Sequence, residues 1–593
     1  MAASWFEEMK QRRVFRALVG YGIVSFAILQ VVEPIMHGLS LPEWVLAATV
    51  IALGLGFPIT LVLAWVFDVN AGRIETTGPR PRAGPLLLLI ALGVVLGAPG
   101  VAWYLVLRPA ARAPSAERDL RAALDAVPPA SDIRAAPSIA VLPLVNMSKD
   151  PDQEYFADGL AEELLNLLAK VPGLRVAART SAFAFKGKNE DVAQIGQKLH
   201  VAHVLEGSVR RSGDQVRITT QLINAGDGFH VWSETYDRKL ADVFAVQDEI
   251  ARAVVAALKL KLLPEQAPTT KDRRTANPEV YNQYLLGRQI ANQANPQTML
   301  RAVGAFEKAL ALDPGYAPAW AGLANAVLYV AGTAAGTAAQ VAAAYDRALA
   351  AAEKAVALAP ELGDGHVARG KARIWVRLDW AGGRADVEHA LALNPSDAVA
   401  LRYYAEDVLM PPGRLPEAIA AARKATELDP LSSESWTILG WVLAASGRLE
   451  EGREVLGRAL GISPGNDQAG LWLGLIDLLE GQPEKALARF TRLSTEWCRL
   501  TGVALSQHDL GHEREAQEAL DKLQAAHAED AAYQLAEVYS RRGEKDRALD
   551  WLERAHVQRD SGLLFVKSDP FLSNLRGDPR YTALLKKMNL PLD

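Results

Sequence analysis

The spacing of hydrophobic and polar positions changes in kind along the chain. Near the N-terminus apolar residues run almost unbroken through three segments, about 14–35, 44–67 and 85–107. Each offers the roughly 20 residues a helix needs to cross a hydrocarbon core of about 30 Å. Trp44, Trp65, Trp103 and Tyr104 stand near the segment ends, where amphipathic rings prefer the membrane interface. The expected element is a retained three-helix transmembrane anchor over 14–107. The rival, a cleavable signal peptide, lacks a small-x-small site before the second span. Residues 108–136, rich in Ala, Pro and Arg, read as a linker with at most one short helix.

From 137 to 263 strand-like and helix-like patterns alternate. "SIAVLPLV" (138–145) is a continuous apolar run, as expected of a strand covered on both faces. "ADGLAEELLNLLAKV" (157–171) places Leu160, Leu164, Leu165, Leu167 and Leu168 at helical spacing. "LRVAAR" reads as a second strand and "DVAQIGQKL" as a second helix. Three strands then follow, joined by turns at 212–214 and 225–228, and "VFAVQDEIARAVVAALKLKL" closes a mixed α/β domain as an amphipathic helix.

Residues 264–276 form a second linker, and from 277 to 568 the pattern is helical and periodic. "KALALDP", "KAVALAP", "HALALNP", "KATELDP" and "RALGISP" end at Pro314, Pro360, Pro395, Pro430 and Pro464, which are 46, 35, 35 and 34 residues apart. A period of 34 with a closing proline predicts tetratricopeptide repeats, about eight helix pairs in which proline ends each second helix. In the unit 435–464, Trp436, Leu439 and Gly440 take the large, large and small positions of the first helix, and Gly447 makes the turn. The small-residue string "AGTAAGTAAQVA" accounts for the longer first interval. Residues 569–593 read as the cap that a solenoid needs over its last apolar face. The predicted fold class is therefore multidomain: a three-helix transmembrane anchor, a mixed α/β domain and an all-α solenoid.

The strings "SIAVLPLVNMS", "DPDQEYFADGLAEELLNLLAK", "AARTSAFAFKGK" and "VLEGSVRRSGDQVRITTQLINAGDGFHVWSETYDR" resemble the TolB-like amino-terminal module of bacterial membrane proteins that carry tetratricopeptide repeats. The opening "FEEMKQRRVFRALVGYGIVSFAILQVVEPI" is similar to the anchor of a subset of them. In relatives a class III nucleotide cyclase or a winged-helix DNA-binding domain often precedes the anchor. This sequence begins at Ser4-Trp5-Phe6 with room for neither, so the resemblance carries over neither the cyclase activity nor the DNA binding of those relatives.

Charge refines the placement. The formal net charge is only −5, which gives no general basic field for nucleic acid. Residues 1–112 hold nine Lys/Arg against six Asp/Glu, and the remainder 55 against 63. Lys10, Arg12, Arg13 and Arg16 precede the first span, and Arg73, Arg80 and Arg82 lie between the second and third. This predicts a bacterial inner-membrane protein with residues 1–13 cytoplasmic and everything after 107 periplasmic; Arg108, Arg112, Arg118 and Arg121 run against it. Glu33 is either an intramembrane functional group or, with Pro34 behind it, already at the interface.

Candidate chemistry is sparse. The single cysteine, Cys498, excludes an intramolecular disulfide, and no phosphate-loop, zinc-protease, hydrolase-elbow or kinase signature occurs. The acidic loop Asp150, Asp152, Glu154 and Asp158 departs from a calcium hand, having Tyr155 where glycine is needed and Ala161 where a bidentate Glu is needed. Asp158 reads instead as a helix N-cap. His200 and His203 point to opposite faces of a strand, and Gly511 separates His508 from His512. No catalytic residue, metal or cofactor is expected. In the array, the concave positions offer Asn325, Arg369, Trp375, Tyr403, Asp407 and Trp441 to a protein or peptide partner; packing between repeats is the competing explanation for each. The expected function is a membrane-anchored interaction scaffold. Two alternatives are an envelope sensor with a ligand on the α/β domain and a subunit of an envelope assembly.

Overall fold

The computed structural model divides the chain into two compact units, Met1–Val127 and Pro128–Asp593. It describes residues 137–592 except 151–152, 172, 259–274, 276, 294 and 334–337, together with Ser25, Leu53 and two short strands nearer the N-terminus. Those strands, β1 (Phe67–Asn70) and β2 (Arg73–Thr76), form an antiparallel pair in the first unit.

That unit requires a correction. The expected three-helix transmembrane anchor, and with it the multi-pass inner-membrane placement, is not upheld: among the described residues no helix is long and apolar enough to cross a membrane. The spans 14–35, 44–67 and 85–107 and Glu33 fall almost wholly outside the described residues, and Phe67, expected to end the second span, opens a strand instead. A run of apolar residues shows only that a segment tolerates an apolar environment, not that it forms one membrane-spanning helix.

The second unit opens with a mixed sheet. Its strands are β3 (Ser138–Val141), β4 (Val145–Asn146), β5 (Arg175–Val176), β6 (His203–Ser212), β7 (Gln215–Asn224) and β8 (His230–Lys239), in the order β5-β3-β6-β7-β8 with β4 also on β6. β3 runs parallel to β5 and β6, whereas β6, β7 and β8 form an antiparallel meander. Every residue of β3 is buried, as its unbroken apolar run requires. Ile139 and Val141 face α1 (Glu154–Ala169) and α4 (Val243–Ala257). Ala140 and Leu142 face α3 (Val192–Leu199). A short helix, α2 (Arg179–Phe183), follows β5. Gly213 turns β6 into β7 at φ +62°, a left-handed conformation that a side chain disfavours.

Eight helix pairs follow among the described residues: α5 (Pro278–Ala291) with α6 (Pro296–Leu312), α7 (Ala317–Thr333) with α8 (Ala338–Leu358), and α9 (Gly363–Arg377) with α10 (Trp380–Leu393). Next come α11 (Ala398–Tyr403) with α12 (Leu415–Leu428), α13 (Ser433–Ala445) with α14 (Leu449–Ile462), and α15 (Asp467–Leu479) with α16 (Pro483–Phe490). The last are α17 (Glu496–Asp509) with α18 (Glu513–His527), and α19 (Ala532–Arg541) with α20 (Lys545–Gln558). The closing prolines do more than end helices. The residue six places on donates a ring N–H back to the proline carbonyl three times: Trp320 to Pro314 at 2.9 Å, His366 to Pro360 at 2.7 Å and Trp436 to Pro430 at 2.9 Å. Each bond pins the start of one pair to the end of the one before it.

Both ends of the array are covered. On the first side α1 lies across α5, close enough that a Cβ on Gly159 would meet Leu285 at 2.6 Å. Arg288 of α5 there pairs with Glu162 at 2.5 Å and Glu163 at 3.2 Å. The α/β domain touches the array again through α2, where buried Ser181 donates its backbone N–H (3.0 Å) and hydroxyl (2.5 Å) to Asp429. On the last side two 3₁₀ turns, Ser561–Phe565 and Pro570–Leu575, and α21 (Pro579–Lys587) close the stack. They also reach back to the middle of the array: the Trp380 indole donates to the Met588 carbonyl at 2.8 Å.

A Cβ on Gly440 would lie 2.4 Å from Cγ of fully buried Leu456, whereas nothing lies within 4 Å of one on Gly457. Gly440→Val should therefore lower the urea midpoint, losing about 1–3 kcal/mol to overpacking. Gly457→Ala, in the same helix pair, should raise the midpoint, gaining up to about 1 kcal/mol of stability through helix propensity alone.

Candidate functional site

The first helices of the pairs turn one face inward, and together with α1, α2 and the C-terminal turns they line a cleft of about 1030 Å³ that is partly open to solvent. Asn325, Trp375, Tyr403 and Trp441 line it. Arg369 is drawn aside: its Nε donates to Asp386 on the second helix of the same pair at 3.0 Å, so it serves packing within a repeat. Asp407 lies beneath the wall, only 2% exposed, and accepts from the Trp375 indole at 3.3 Å.

A polar cluster lines the cavity where α9, α11 and α13 meet. Lys371, one turn before Trp375 on α9, holds its ammonium 4.9 Å from the Trp375 ring centre and 4.1 Å from that of Tyr403, within cation–π range. The Arg402 guanidinium approaches the Tyr403 ring to 4.7 Å and pairs with Glu434 at 2.8 Å and Glu406 at 3.7 Å. Glu406 and Asp407 sit on a π-helical turn, Tyr404–Leu409, that continues α11. Such turns hold one extra residue and are frequent at functional sites; the interval Pro395–Pro430 is one residue longer than Pro430–Pro464.

Burial sets the protonation here. It pushes the Glu406 carboxyl up to about 8, with neighbouring Asp407 adding to the effect against Arg402 and Lys371. Asp407 is raised as well, by burial. Burial draws the Lys371 ammonium down, but Tyr403, Asp407 and Glu406 outweigh it and hold it above the ordinary lysine range. At the far end of the cavity Tyr533 donates to Asp569 at 2.6 Å, and Glu537 is held well above the carboxylate range by burial and by Asp569.

Asp158 is a second correction. Helix α1 begins four residues earlier, at Glu154, with Gln153 in the cap position. Asp158 lies inside the helix, 5% exposed, and both its oxygens accept from Lys186, at 2.6 and 2.7 Å. The preceding aromatics Tyr155 and Phe156 already belong to the helix, so the first turn is over before Asp158 is reached. Asp152 lies outside the described residues. Among the described residues no group of three or more His, Cys, Asp or Glu could hold a metal ion. His508 approaches Glu513 at 3.5 Å, while His512 faces Gln507 at 2.8 Å.

Residues 433–466 match the tetratricopeptide-repeat family, and the array is built of such repeats. Residues 135–253 match a family described as HilA/YgeH-like transcriptional regulator, second domain. A protein of Rhizobium meliloti (strain 1021) named "Putative adenylate cyclase 3" is 45% identical over 198 residues, 33% of this chain; the match spans about a third (34%) of that relative's length. Among solved structures, the human IFIT1 dimer with m7Gppp-AAAA is similar at 18% identity and a TM-score of 0.36, over 53% of this chain and 77% of that one. YrrB, a TPR protein with an unusual peptide-binding site, is 20% identical with a TM-score of 0.24, over 37% of this chain and 98% of that one.

Because the folded pKa of Glu406 lies above its unfolded value, the native state holds a proton there that the unfolded chain has released by neutral pH. Its contribution to stability is complete below the unfolded value, near 4.5, and is lost as pH rises toward about 8. Glu406→Gln, which stays neutral, should flatten that decline: thermal melts from pH 5 to 8.5 should show the variant gaining on the native chain as pH rises.

Proposed function

We propose that this protein is a non-catalytic scaffold that takes an extended segment of a partner protein into the interior of its repeat array. The cavity of about 1030 Å³ carries this reading, because its walls come from the first helices of successive repeats. Its lining mixes aromatic faces (Trp375, Tyr403, Trp441) with amide side chains (Asn325, Gln468, Gln534), the combination that receives a peptide backbone and its side chains. Ten acidic side chains against five basic groups line the cavity, so it carries no excess of positive charge for a phosphate backbone, and no nucleic acid is assigned to it. The relative named as an adenylate cyclase shares only a third of its length with this chain, and no catalytic step is assigned to the shared part.

A second reading gives the α/β domain, which resembles TolB-like modules, a sensing role. One observation favours it: Glu162, Arg179 and Thr180 of that domain line the same cavity, so an occupant would touch the domain as well as the repeats.

A photo-crosslinking residue at Tyr403, inside the cavity, should give a discrete adduct with a partner protein. The same residue at Lys522, exposed on the outer helix α18, should not. Equal labelling from both positions, or from neither, would sink the interior-binding reading.

A further inference from the structure

The sheet of the α/β domain ends in a long free edge. In the order β5-β3-β6-β7-β8, strand β8 has β7 on one side and, among the described residues, no strand on the other. It is ten residues long and contains no proline, and its one irregularity lies at the far end, opposite Leu222 and Ile223. Edges of this length are ordinarily shortened, bent or covered, because a row of unpaired N–H and C=O groups is a template for further pairing. Among the described residues one hydrogen bond reaches the outer side of Ser233–Lys239: Arg238 donates from Nη1 to the carbonyl of its neighbour Asp237 at 3.0 Å.

The register decides which backbone groups face out. Gly213 and Asp214 form a two-residue hairpin turn, which closes on a hydrogen-bonded pair, here Ser212 and Gln215. Bonding sides alternate along an antiparallel strand, so Gln215 bonds β6 and Val216 bonds β8. The β8 partners on that side are Arg238 opposite Val216, Tyr236 opposite Ile218 and Glu234 opposite Thr220. Leu240 continues the series, donating its N–H to Asp214 at 2.7 Å. Ser233, Thr235, Asp237 and Lys239 therefore turn both their N–H and their C=O outward. Their side chains are exposed, as are those of Glu234 and Arg238, while Tyr236 is buried under the sheet.

We propose that β8 is a self-complementary edge on which a second copy of this chain pairs antiparallel, so that one sheet runs through two protomers. The charges choose both the occupant and the register. Centred on Tyr236, two-fold pairing sets Glu234 opposite Arg238 of the second copy at two symmetric places, with Thr235 opposite Asp237 and Ser233 opposite Lys239. Centring on Glu234 or on Asp237 would set an acid against its own copy. Centring on Thr235 would leave Glu234 opposite Tyr236 and Arg238 opposite Trp232, with neither charge matched. Within one chain Glu234 accepts from the Tyr236 hydroxyl on Oε2 at 3.0 Å, which leaves Oε1 for the second copy. Arg238 pairs with Glu249 of α4 at 3.1 Å, a contact between exposed side chains that contributes little and is readily exchanged. In the dimer the Thr235 N–H of the second copy takes the Asp237 carbonyl, which releases the Arg238 guanidinium for Glu234.

Sedimentation equilibrium of the full chain tests this pairing. The native chain should sediment as a dimer at micromolar concentration. Glu234→Arg sets arginine against Arg238 at both places, and Arg238→Glu sets glutamate against Glu234 at both. Each variant alone should dimerise about tenfold or more weakly. An equimolar mixture of the two variants places opposite charges at both positions again. It should recover a dimer close to native strength, which also shows that each variant is folded. A monomeric native chain would overturn the proposal. So would a dimer that neither variant weakens, because the chains would then meet elsewhere, and so would a mixture that stays monomeric, because Glu234 and Arg238 would then not face each other.

Discussion

Where α1 lies across α5, Gly159 leaves the space that Leu285 fills, and Arg288 reaches into the acidic pair Glu162 and Glu163. The rest of the array depends on that contact. A helix pair has two apolar flanks and buries each only against a neighbour, so a linear stack always leaves a first and a last flank exposed. Here the α/β domain covers the first flank, and one core runs from β3 through α1 into Tyr281, Tyr284 and Phe306 without a break. The C-terminal turns cover the last and, through Trp380 and Met588, bind it to the middle. With both flanks covered, the concave surface forms one cleft of about 1030 Å³ that stays open to solvent.

Burial within that cleft explains the unusual electrostatics. On an open groove Glu406, Asp407 and Lys371 would face water and titrate as ordinary side chains. Burial penalises each charge, so Glu406 and Asp407 hold their protons to higher pH than exposed carboxyls, and the cations stay beside aromatic rings. A polar network of this kind adds little to stability and restricts which arrangements the central repeats can adopt.

Much of this architecture was legible in the order of residues. A continuous apolar run such as Ser138–Val141 has one economical solution, a strand covered on both faces, because alternate side chains point opposite ways. The 34-residue period with proline at its end likewise announces stacked helix pairs, since proline cannot continue a helix and each pair repeats the same burial problem. Four of the six concave positions reach the cavity, because a helix in a known stack shows a known face. Arg369 and Asp407 do not, and the reason is local. Asp386 on the paired helix captures Arg369, and the π turn rotates Asp407 beneath the wall. Lys371 was overlooked, although it stands one turn from Trp375; a lone lysine on a helix is ordinarily a solvated one. Asp158 misled because a carboxylate near the start of an amphipathic run resembles a cap until the true helix start is known. The apolar N-terminal runs misled in another way: apolarity measures tolerance of a medium and does not choose the element.

From residue 137 onward, sequence alone determined most kinds of element, the period of the repeats and the faces they bury, because these follow from local spacing and from the covalent limits of proline and glycine. It could not determine that Leu564 and Phe565 lie against α13, that α2 docks on Asp429, or that Glu406 and Lys371 come together beside Tyr403 on one wall. Those pairs are separated by up to about 250 residues of chain. Only the rotation accumulated over successive repeats, a sum of small packing angles, brings them together.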